Sequence, residues 1–349
     1  MGIKVLIVDD SATARAVLTE ILSSDPDISS VETAVDAYVA RDKILKSKPD
    51  VICLDVEMPR MDGITFLKKL MQYMPLPVVM VSSLTQRGAK TTLDALEAGA
   101  IDVVAKPHSN IYDGSDEIRE ELLSKVKSAA RAKVQIKSTD AIKAKPLTYL
   151  GALSETTQKI VAIGASTGGT EALKEVLMQL PRNSPGIIIV QHMPANFTNQ
   201  FAQRLNSLCE VEVKEAKNGD TIGIGQVLLA PGDVHMVLRR SGHRYYVQLG
   251  TGDKVSGHRP SIDVLFNSVS KSAGSNAVGV ILTGMGSDGA KGLLNMRKVG
   301  ARTIGQDEKS CVVYGMPKVA YELGAVDIQT PLQNIPKKIL ELIGEEERS

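Results

Sequence analysis

The feature that most constrains this fold is a repeated alternation of short apolar runs with segments of helical spacing. In the first half of the chain, five runs predict strands: Lys4–Val8, Val31–Ala34, Val51–Leu54, Val78–Val81 and Asp102–Ala105. Between them, apolar residues recur three and four positions apart, which predicts helices. Strands that alternate with helices form a parallel sheet covered on both faces. This half is therefore predicted to be a doubly wound, flavodoxin-like α/β domain.

The same alternation resumes in the second half. Apolar runs at Ile160–Ile163, Ile187–Val190 and Val278–Leu282 predict buried strands. Between Glu210 and Leu249, frequent turn residues and apolar–polar alternation predict a β-hairpin inserted into the parallel scheme. A chain of 349 residues is also too long for one ordinary hydrophobic core. We therefore expect a second doubly wound, mostly parallel α/β domain.

A stretch rich in lysine and arginine separates the two halves. From Val126 to about Lys159 the strand signal disappears, and basic residues far outnumber acidic ones up to Pro146. The ordinary interpretation is a solvated connector, and the alternative is attraction to an acidic partner surface. The predicted organisation is a first domain over residues 1–125, a basic linker over 126–158, and a second domain over 159–349.

Composition excludes several classes of protein. Lys and Arg number 41 against 40 Asp and Glu, so no overall field points to nucleic acid or to an anionic membrane. The three cysteines form no CxxC pair, which argues against a disulfide framework and a zinc site. The apolar N-terminal run stops at Asp9 and Asp10, and no run approaches the ~20 apolar residues of a membrane span. We expect a cytoplasmic protein with no nucleic acid partner and no membrane insertion.

In the first half, reactive polar residues stand at the ends of predicted strands. Five residues follow four strands in turn: Asp9 and Asp10, Asp55, Ser82, and Lys106. Ligands of an open parallel sheet bind beyond the carboxyl ends of its strands. Any one of these residues could simply end a strand or cap a helix. Their occurrence at successive strand ends indicates one shared site instead.

Three converging carboxylates need a cation, because their mutual repulsion otherwise raises a pKa. Mg²⁺ suits them, since it takes one or two carboxylates together with waters and phosphate oxygens. The Lys106 ammonium and the Ser82 hydroxyl would then hold a phosphoryl group. The set suits an aspartate that attacks phosphorus and becomes an acyl phosphate.

Ser166 lies in a glycine-rich turn, IVAIGASTGGTEAL, between a predicted strand and a helix. A dinucleotide site requires another glycine spacing and an acidic residue at the end of the next strand, where Gln191 and His192 stand. A P-loop requires a lysine that this turn lacks. Besides these two phosphate-binding interpretations, a third is that Ser166 is a nucleophile. The start of the helix near Thr167 then offers backbone N–H groups to an oxyanion.

A serine nucleophile needs a base, and the base needs a group that orients it. Among the five histidines, His192 directly follows a buried-type strand of the same half, and Asp288 lies in the glycine-rich loop after the Val278–Leu282 strand. Taken singly, His192 could be an ordinary buried histidine and Asp288 a turn residue. Together with Ser166 they predict a triad whose order along the chain differs from that of α/β-hydrolases.

The strand-end residues of the first half and the segment DVEMPRMDG at 55–63 closely resemble the response-regulator receiver family. The resemblance implies a sheet in the order 2-1-3-4-5. It implies Asp55 as phosphoacceptor, Mg²⁺ bound by Asp9, Asp10 and Asp55, and Ser82 and Lys106 as switch residues. Val103 departs from the family pattern, because receivers often carry an aromatic switch residue at that position. The route of the signal from Asp55 is therefore left open.

The second half resembles the catalytic domain of the chemotaxis protein-glutamate methylesterases. Four segments carry this resemblance: GASTGGT at 164–170, QHMP at 191–194, HRPSID at 258–263 and LTGMGSDG at 282–289. It implies hydrolysis of glutamate methyl esters, and deamidation of certain glutamines, on transmembrane chemoreceptors. Ser166, His192 and Asp288 match the triad of that family, and the backbone around Met285 is implicated in its oxyanion site. No cofactor is expected for the esterase step.

The fusion of two such domains implies regulation, with a chemotaxis histidine kinase as phosphodonor. In the simplest physical account, the unphosphorylated receiver covers the hydrolase cleft, and phosphoryl charge at Asp55 shifts this equilibrium. The HRPSID segment has no assigned role at this point. Arg259 could meet acidic receptor helices or serve the structure alone.

Two other functions fit parts of the pattern. A signalling adaptor would join the receiver to a module whose glycine-rich loop grips a nucleotide or a phosphorylated partner. Such a module would not react with serine-directed phosphonates or sulfonyl fluorides. A receiver-controlled transcription factor would need a basic recognition helix in the second half, whereas the basic stretch lies in the linker.

Overall fold

The computed structural model describes residues 2–82, 86–106, 115–134 and 159–344. For residues 86–90 and 115–117 it describes the backbone alone. The chain forms two compact units, residues 1–141 and 142–349. Most of the predicted linker, residues 135–158, lies outside the described ranges. Among the described residues, none of the helices has both the length and the apolar character needed to cross a lipid bilayer.

The first unit alternates strands with helices throughout. Its elements are β1 (Ile3–Val8), α1 (Ala12–Ser23), β2 (Ile28–Ala34), α2 (Ala37–Ser47), β3 (Val51–Asp55), α3 (Gly63–Tyr73), β4 (Val78–Ser82), α4 (Gln86–Glu97), β5 (Asp102–Ala105) and α5 (Ser115–Ala130). The strands are parallel and lie in the order β2-β1-β3-β4-β5. The predicted α/β fold and the strand order implied by the receiver resemblance are confirmed.

Burial and capping explain why this unit presents a well-defined edge. Every residue of β3 and β4 is buried, as expected for central strands of a sheet covered on both faces. The side chains of Ser11, Asp36 and Asp62 accept hydrogen bonds from N–H groups in the first turns of α1, α2 and α3. Each of these helices therefore begins at a fixed place close to the carboxyl end of the preceding strand.

The last helix of the unit passes the predicted domain boundary. It continues to Ala130, and Val126 and Ala129 are buried. The apolar spacing of the helix thus extends beyond the predicted start of the linker at residue 126. The exact domain limits stay a prediction.

The second unit is built around a larger sheet. Its elements are β6 (Ile160–Ala165), α6 (Gly169–Leu177), β7 (Gly186–Gln191), α7 (Ala195–Leu208), β8 (Glu212–Glu215), β9 (Gln226–Leu229), β10 (His235–Ser241), β11 (Arg244–Gly250), α8 (Ile262–Ser272), β12 (Ala277–Ile281), α9 (Ala290–Lys298), β13 (Arg302–Gln306), α10 (Met316–Glu322), β14 (Ile328–Thr330) and α11 (Ile335–Gly344). Seven strands form a parallel sheet in the order β14-β13-β12-β6-β7-β9-β8.

The order of these strands places β6 at a reversal of direction. Strands β7, β9 and β8 lie on one side of β6, and the later strands β12, β13 and β14 lie on its other side. Such a switch point opens a crevice at the carboxyl edge, where ligands of doubly wound sheets bind. The residues that follow β6, β7 and β12 therefore face a common space.

The region predicted as a hairpin divides into two parts. Strands β10 and β11 do form an antiparallel hairpin, which packs against α8 through a hydrogen bond of 2.8 Å from Leu238 N–H to Ser268 Oγ. The earlier strands, β8 and β9, instead join the parallel sheet. The apolar–polar alternation of β8 arises because it is the edge strand, so its side chains alternate between core and solvent.

Candidate functional site

In the first unit, three carboxylates converge at the carboxyl edge of the sheet. Asp9 and Asp10 follow β1, and Asp55 ends the neighbouring strand β3. One oxygen from each carboxylate lies within 4.8 Å of the others. Asp9 and Asp55 are buried and Asp10 is exposed, so the cluster opens to solvent on one side. The group has the oxygen ligands and the access that Mg²⁺ requires.

Lys106 and Ser82 complete this edge. The Lys106 Nζ lies 2.7 Å from Asp9 Oδ2 and 3.1 Å from Asp55 Oδ2. The Lys106 N–H donates to the Ser82 carbonyl over 2.7 Å, which ties the ends of β4 and β5 together. The structure thus places all five predicted residues of the receiver on adjacent strands.

The electrostatics of the cluster favour a cation. Burial and the charge of Asp9 raise the pKa of Asp55 to about 6, although Lys106 partly opposes them. For Lys106, burial alone would lower the pKa, but its contacts with Asp9 and Asp55 raise it above the usual value. Two buried carboxylates share one ammonium here, and a further positive charge is needed to balance them. The residues present therefore fit Mg²⁺.

Magnesium should stabilise this unit more at pH 7.5 than at pH 5. An acid whose folded pKa is raised from 3.8 to about 6 makes folding less favourable as pH rises through that interval. Mg²⁺ binds the ionised form and offsets this loss, whereas protons compete with it below about pH 6. Thermal unfolding with and without Mg²⁺ at both pH values measures the difference. An equal gain at the two pH values would contradict it, and Asp55→Asn, which lacks the titrating carboxyl, serves as the control.

In the second unit, Ser166 stands between β6 and α6. Its N–H donates to the Thr283 carbonyl over 3.0 Å, and its side chain is only 8% exposed. The backbone of Gly284 lies against it, since a Cβ at Gly284 would come within 2.6 Å of Ser166 Cβ. The glycine-rich loop after β12 therefore approaches the serine more closely than any residue with a side chain would allow.

His192 follows β7, the neighbour of β6, and connects two other side chains. Its Nδ1 lies 3.1 Å from Ser166 Oγ, and its Nε2 lies 2.9 Å from Asp288 Oδ2. All three residues are buried. Because an aspartate accepts hydrogen bonds, the neutral imidazole carries its proton on Nε2 and presents the lone pair of Nδ1 to the serine hydroxyl. The structure thus brings together the three residues predicted from the sequence.

The carboxylate of Asp288 is held by the beginning of α8. Ser261 Oγ and the Asp263 N–H donate to Oδ1 over 2.8 and 3.1 Å, and the Ile262 N–H donates to Oδ2 over 2.7 Å. Burial alone would raise the pKa of Asp288, but His192 and these N–H groups together lower it below its usual value. The carboxylate therefore stays ionised and faces the imidazole in a fixed orientation.

The two oxyanion candidates flank the serine. Thr167 is the next residue along the chain, and Met285 follows Gly284 in the loop that touches Ser166. Within the described ranges, the backbone N–H groups of Thr167 and Met285 donate to no protein acceptor. Both groups are therefore available to a ligand atom near the serine.

Three residues of the site carried no prediction. Gln191 Nε2 donates to the carbonyls of Ser166 and His192 over 3.0 and 3.2 Å, which links the two backbones. Ser261 is both the N-cap of α8 and a donor to Asp288. The His258 ring stacks on the ring of His192. Gln191 adjoins His192 in the QHMP segment, and Ser261 and His258 belong to HRPSID, so their motifs were the only sequence signal.

Comparison with known proteins agrees with this geometry. Residues 161–339 match the family described as CheB methylesterase, and residues 5–112 match the response regulator receiver domain. A protein-glutamate methylesterase/protein-glutamine glutaminase of Sulfurimonas denitrificans is 65% identical over 99% of both chains. Another from Pseudomonas aeruginosa is 53% identical, over 98% of this chain and 97% of that protein.

A solved structure gives the same assignment for the second unit. The crystal structure of the CheB methylesterase catalytic domain of Thermotoga maritima is 41% identical to this chain. It superimposes with a TM-score of 0.52, over 53% of this chain and 98% of that domain. The chain therefore belongs to the CheB family of protein-glutamate methylesterase/protein-glutamine glutaminases, with a response-regulator receiver domain in its first unit and the methylesterase domain in its second.

Proposed function

We propose that this protein is a phosphorylation-activated serine hydrolase that demethylates glutamate methyl esters, and deamidates glutamines, on chemoreceptors. The single observation that carries the proposal is the line of contacts from Ser166 Oγ through His192 to the Asp288 carboxylate. The names of the related proteins support the substrate class. The proposed substrates are methylated transmembrane receptors, and the enzyme acts on them from the cytoplasm.

The first step is proton transfer from the nucleophile. His192 Nδ1 accepts the hydroxyl proton as Ser166 Oγ attacks the ester carbonyl carbon. The imidazole then carries a positive charge, which the ionised Asp288 stabilises through the Nε2–H bond. The Asp288 carboxylate holds the ring in the tautomer that leaves Nδ1 free to accept.

The negative charge that develops on the carbonyl oxygen needs hydrogen-bond donors. The backbone N–H groups of Thr167 and Met285 serve this purpose in the proposed mechanism, because neither donates to an acceptor within the described ranges, Thr167 follows Ser166, and Met285 follows the Gly284 that touches Ser166. The link that Gln191 makes between the carbonyls of Ser166 and His192 keeps the nucleophile and the base at a constant distance.

The second step releases glutamate. His192 returns its proton to the leaving oxygen, so that methanol departs and Ser166 is left as an ester. The same imidazole then takes a proton from water, whose oxygen attacks the ester, and it returns that proton to Ser166 Oγ as the glutamate carboxylate leaves. With a glutamine substrate the leaving group is ammonia. The chain supplies nucleophile, base and donors for both steps, so this route calls on no cofactor.

The receiver supplies the control. Asp55 is the proposed phosphoacceptor, and Asp9, Asp10 and Asp55 would hold Mg²⁺, which neutralises charge on the phosphoryl oxygens when it is bound. Lys106 and Ser82 would hold the phosphoryl group. A chemotaxis histidine kinase is the proposed phosphodonor. The added charge shifts an equilibrium between an inhibited and an active form.

The proposal is tested by mass analysis of methylated receptor peptides incubated with the full chain, with and without a small phosphodonor and Mg²⁺. We expect loss of methyl groups and conversion of glutamine to glutamate, accelerated by the phosphodonor by about 5- to 150-fold. Asp55→Asn should keep the basal rate and lose the acceleration, because an amide cannot form the acyl phosphate. A protein that binds the peptides without altering their mass would contradict the hydrolase and favour an adaptor.

A fragment without the receiver can distinguish two modes of control, in which the receiver either inhibits the hydrolase or directly assists it. A chain that begins near Lys145 contains all of the described second unit, and the related domain of Thermotoga maritima crystallises alone. This fragment should be active without phosphodonor. A rate below that of the unphosphorylated full chain would show that the receiver does not act by inhibition.

A further inference from the structure

A second imidazole lies on the face of the proposed catalytic base. The ring centroids of His192 and His258 are 3.7 Å apart, and the ring planes differ by 15°. His192 is 6% exposed, and His258 is half-buried above it. The mechanism derived above assigns nothing to His258, although among the described residues its ring is the aromatic one that stacks on His192.

A tight turn presents His258 to the base. Val255 and His258 exchange backbone hydrogen bonds of 3.1 and 3.0 Å across the turn. The two residues between them, Ser256 and Gly257, have φ of 55° and 79°. Positive φ at both central positions defines a type I′ turn, which a serine adopts less readily than glycine or asparagine. The surroundings therefore hold this turn against the local preference of Ser256.

Arg259 anchors the same turn on its other side. Its Nε and Nη2 donate to Asp233 Oδ1 over 3.0 and 2.7 Å, and its Nη1 donates to the Gly252 carbonyl over 3.1 Å. A forked set of bonds fixes the position of a guanidinium in a way that a single contact does not. Arg259 thus ties the loop before α8 to the loop before β10. This is a structural role, one of the two alternatives for Arg259 in the sequence analysis.

We propose that His258 is a positioning residue for the general base. The flat contact keeps the plane of the His192 ring aligned with Ser166 Oγ at one end and with Asp288 at the other. The polarisable face of the His258 ring also stabilises the imidazolium that His192 becomes during the reaction. The proposal rests on the proposed role of His192 as base.

The stacking contact matters most after the first step. In the free enzyme, contacts with Ser166 and Asp288 hold the His192 ring at both nitrogens. In the acyl-enzyme the serine has no proton left to donate, so Nδ1 loses that hydrogen bond. Of the His192 ring contacts found among the described residues, the Asp288 hydrogen bond and the His258 stack then remain to keep the imidazole in place to activate water. Removal of His258 should therefore slow deacylation more than acylation.

The test uses three variants of His258 and one control in the full chain. His258→Ala removes the ring, His258→Leu keeps bulk without a flat face, and His258→Phe keeps a flat face that cannot titrate. His243→Ala, in the exposed turn of the β10–β11 hairpin, is the control. We expect kcat to fall about 2- to 10-fold in the alanine and leucine variants, with KM falling alongside it because deacylation limits turnover, and both to stay within about twofold in the phenylalanine variant.

Pre-steady-state kinetics complete the test. With an activated ester, the alanine variant should show a burst of product, because acyl-enzyme accumulates when deacylation slows. Unchanged kcat in the alanine and leucine variants would overturn the proposal. So would a phenylalanine variant as slow as alanine but with the same melting temperature, or a rise in KM alone, which indicates substrate contact. If Ser166→Ala stays active, the proposed function fails; if it is inactive and all His258 variants are normal, only this inference fails.

Discussion

Ser166→Ala should lower the rate of receptor demethylation by at least about four orders of magnitude, with substrate binding little changed. The substitution removes the hydroxyl that contacts His192 Nδ1, so neither proton transfer nor acyl-enzyme formation takes place. The Ser166 N–H bond to Thr283 and the turn into α6 do not need the side chain, so the melting temperature should change little. The measurement is the initial rate of methanol release from methylated receptors, with excess phosphodonor.

The matched control is Ser207→Ala, an exposed serine on α7 whose hydroxyl donates to the Arg204 carbonyl of its own helix. It should keep the full rate. A serine-directed phosphonate should label the wild type and the control once per chain, and leave Ser166→Ala unlabelled. Substantial turnover by Ser166→Ala would remove the serine from the chemistry, and the glycine-rich turn would then need another explanation.

Asp288→Asn should lower kcat by about two to four orders of magnitude. The carboxylate accepts from His192 and from three donors at the start of α8, so every one of its contacts requires an acceptor. An amide has one acceptor oxygen, and its NH₂ group must face either the imidazole or the N–H groups of α8. In the first case His192 is forced into the wrong tautomer and the Ile262 N–H loses its acceptor, and in the second the Asp263 N–H loses its acceptor.

The same substitution should also destabilise the fold in a pH-dependent way. A carboxyl whose folded pKa lies below 3.8 stabilises the protein above its usual pKa, and this stability is lost as pH falls through the folded value. The difference in melting temperature between wild type and Asp288→Asn should therefore be present at neutral pH and shrink in strong acid.

Asp327→Asn is the control for stability alone, because Asp327 accepts from the Thr303 N–H, far along the chain from the site. It should lower the melting temperature and leave kcat unchanged, and equal losses of kcat in both variants would contradict a specific role for Asp288.

The sequence predicted those parts of the site that follow directly from strand ends. Asp55, Ser166 and His192 each stand where a buried run of branched residues stops, and a parallel sheet places such positions side by side whatever the loops do. The Asp288 contact was also predictable, since β12 is a strongly apolar run that ends shortly before it. Strand order needed the resemblance to known families, because spacing along the chain does not determine which strands pair.

What the sequence could not predict depends on contacts between distant segments. Ser261 has the pattern of an ordinary N-cap, and only the approach of the loop after β12 makes it a donor to Asp288. His258 has no apolar periodicity around it, and its place over His192 follows from a turn whose Ser256 has an unfavourable φ. Strands β8 and β9 are only four residues long, and β8 alternates between exposed and buried side chains, so this stretch was indistinguishable from a hairpin.

Because β6 pairs with β12, the proposed nucleophile and the group that orients its base come from the two ends of a long excursion of the chain. A ribosome that has released residues only as far as β11 has produced the serine and the histidine but no Asp288. Hydrolytic competence therefore arises late in biosynthesis, when the returning strand docks beside β6. On the proposed mechanism, a chain that ends before β12 lacks the carboxylate that orients the base, and its hydrolysis should be as weak as that of a triad variant.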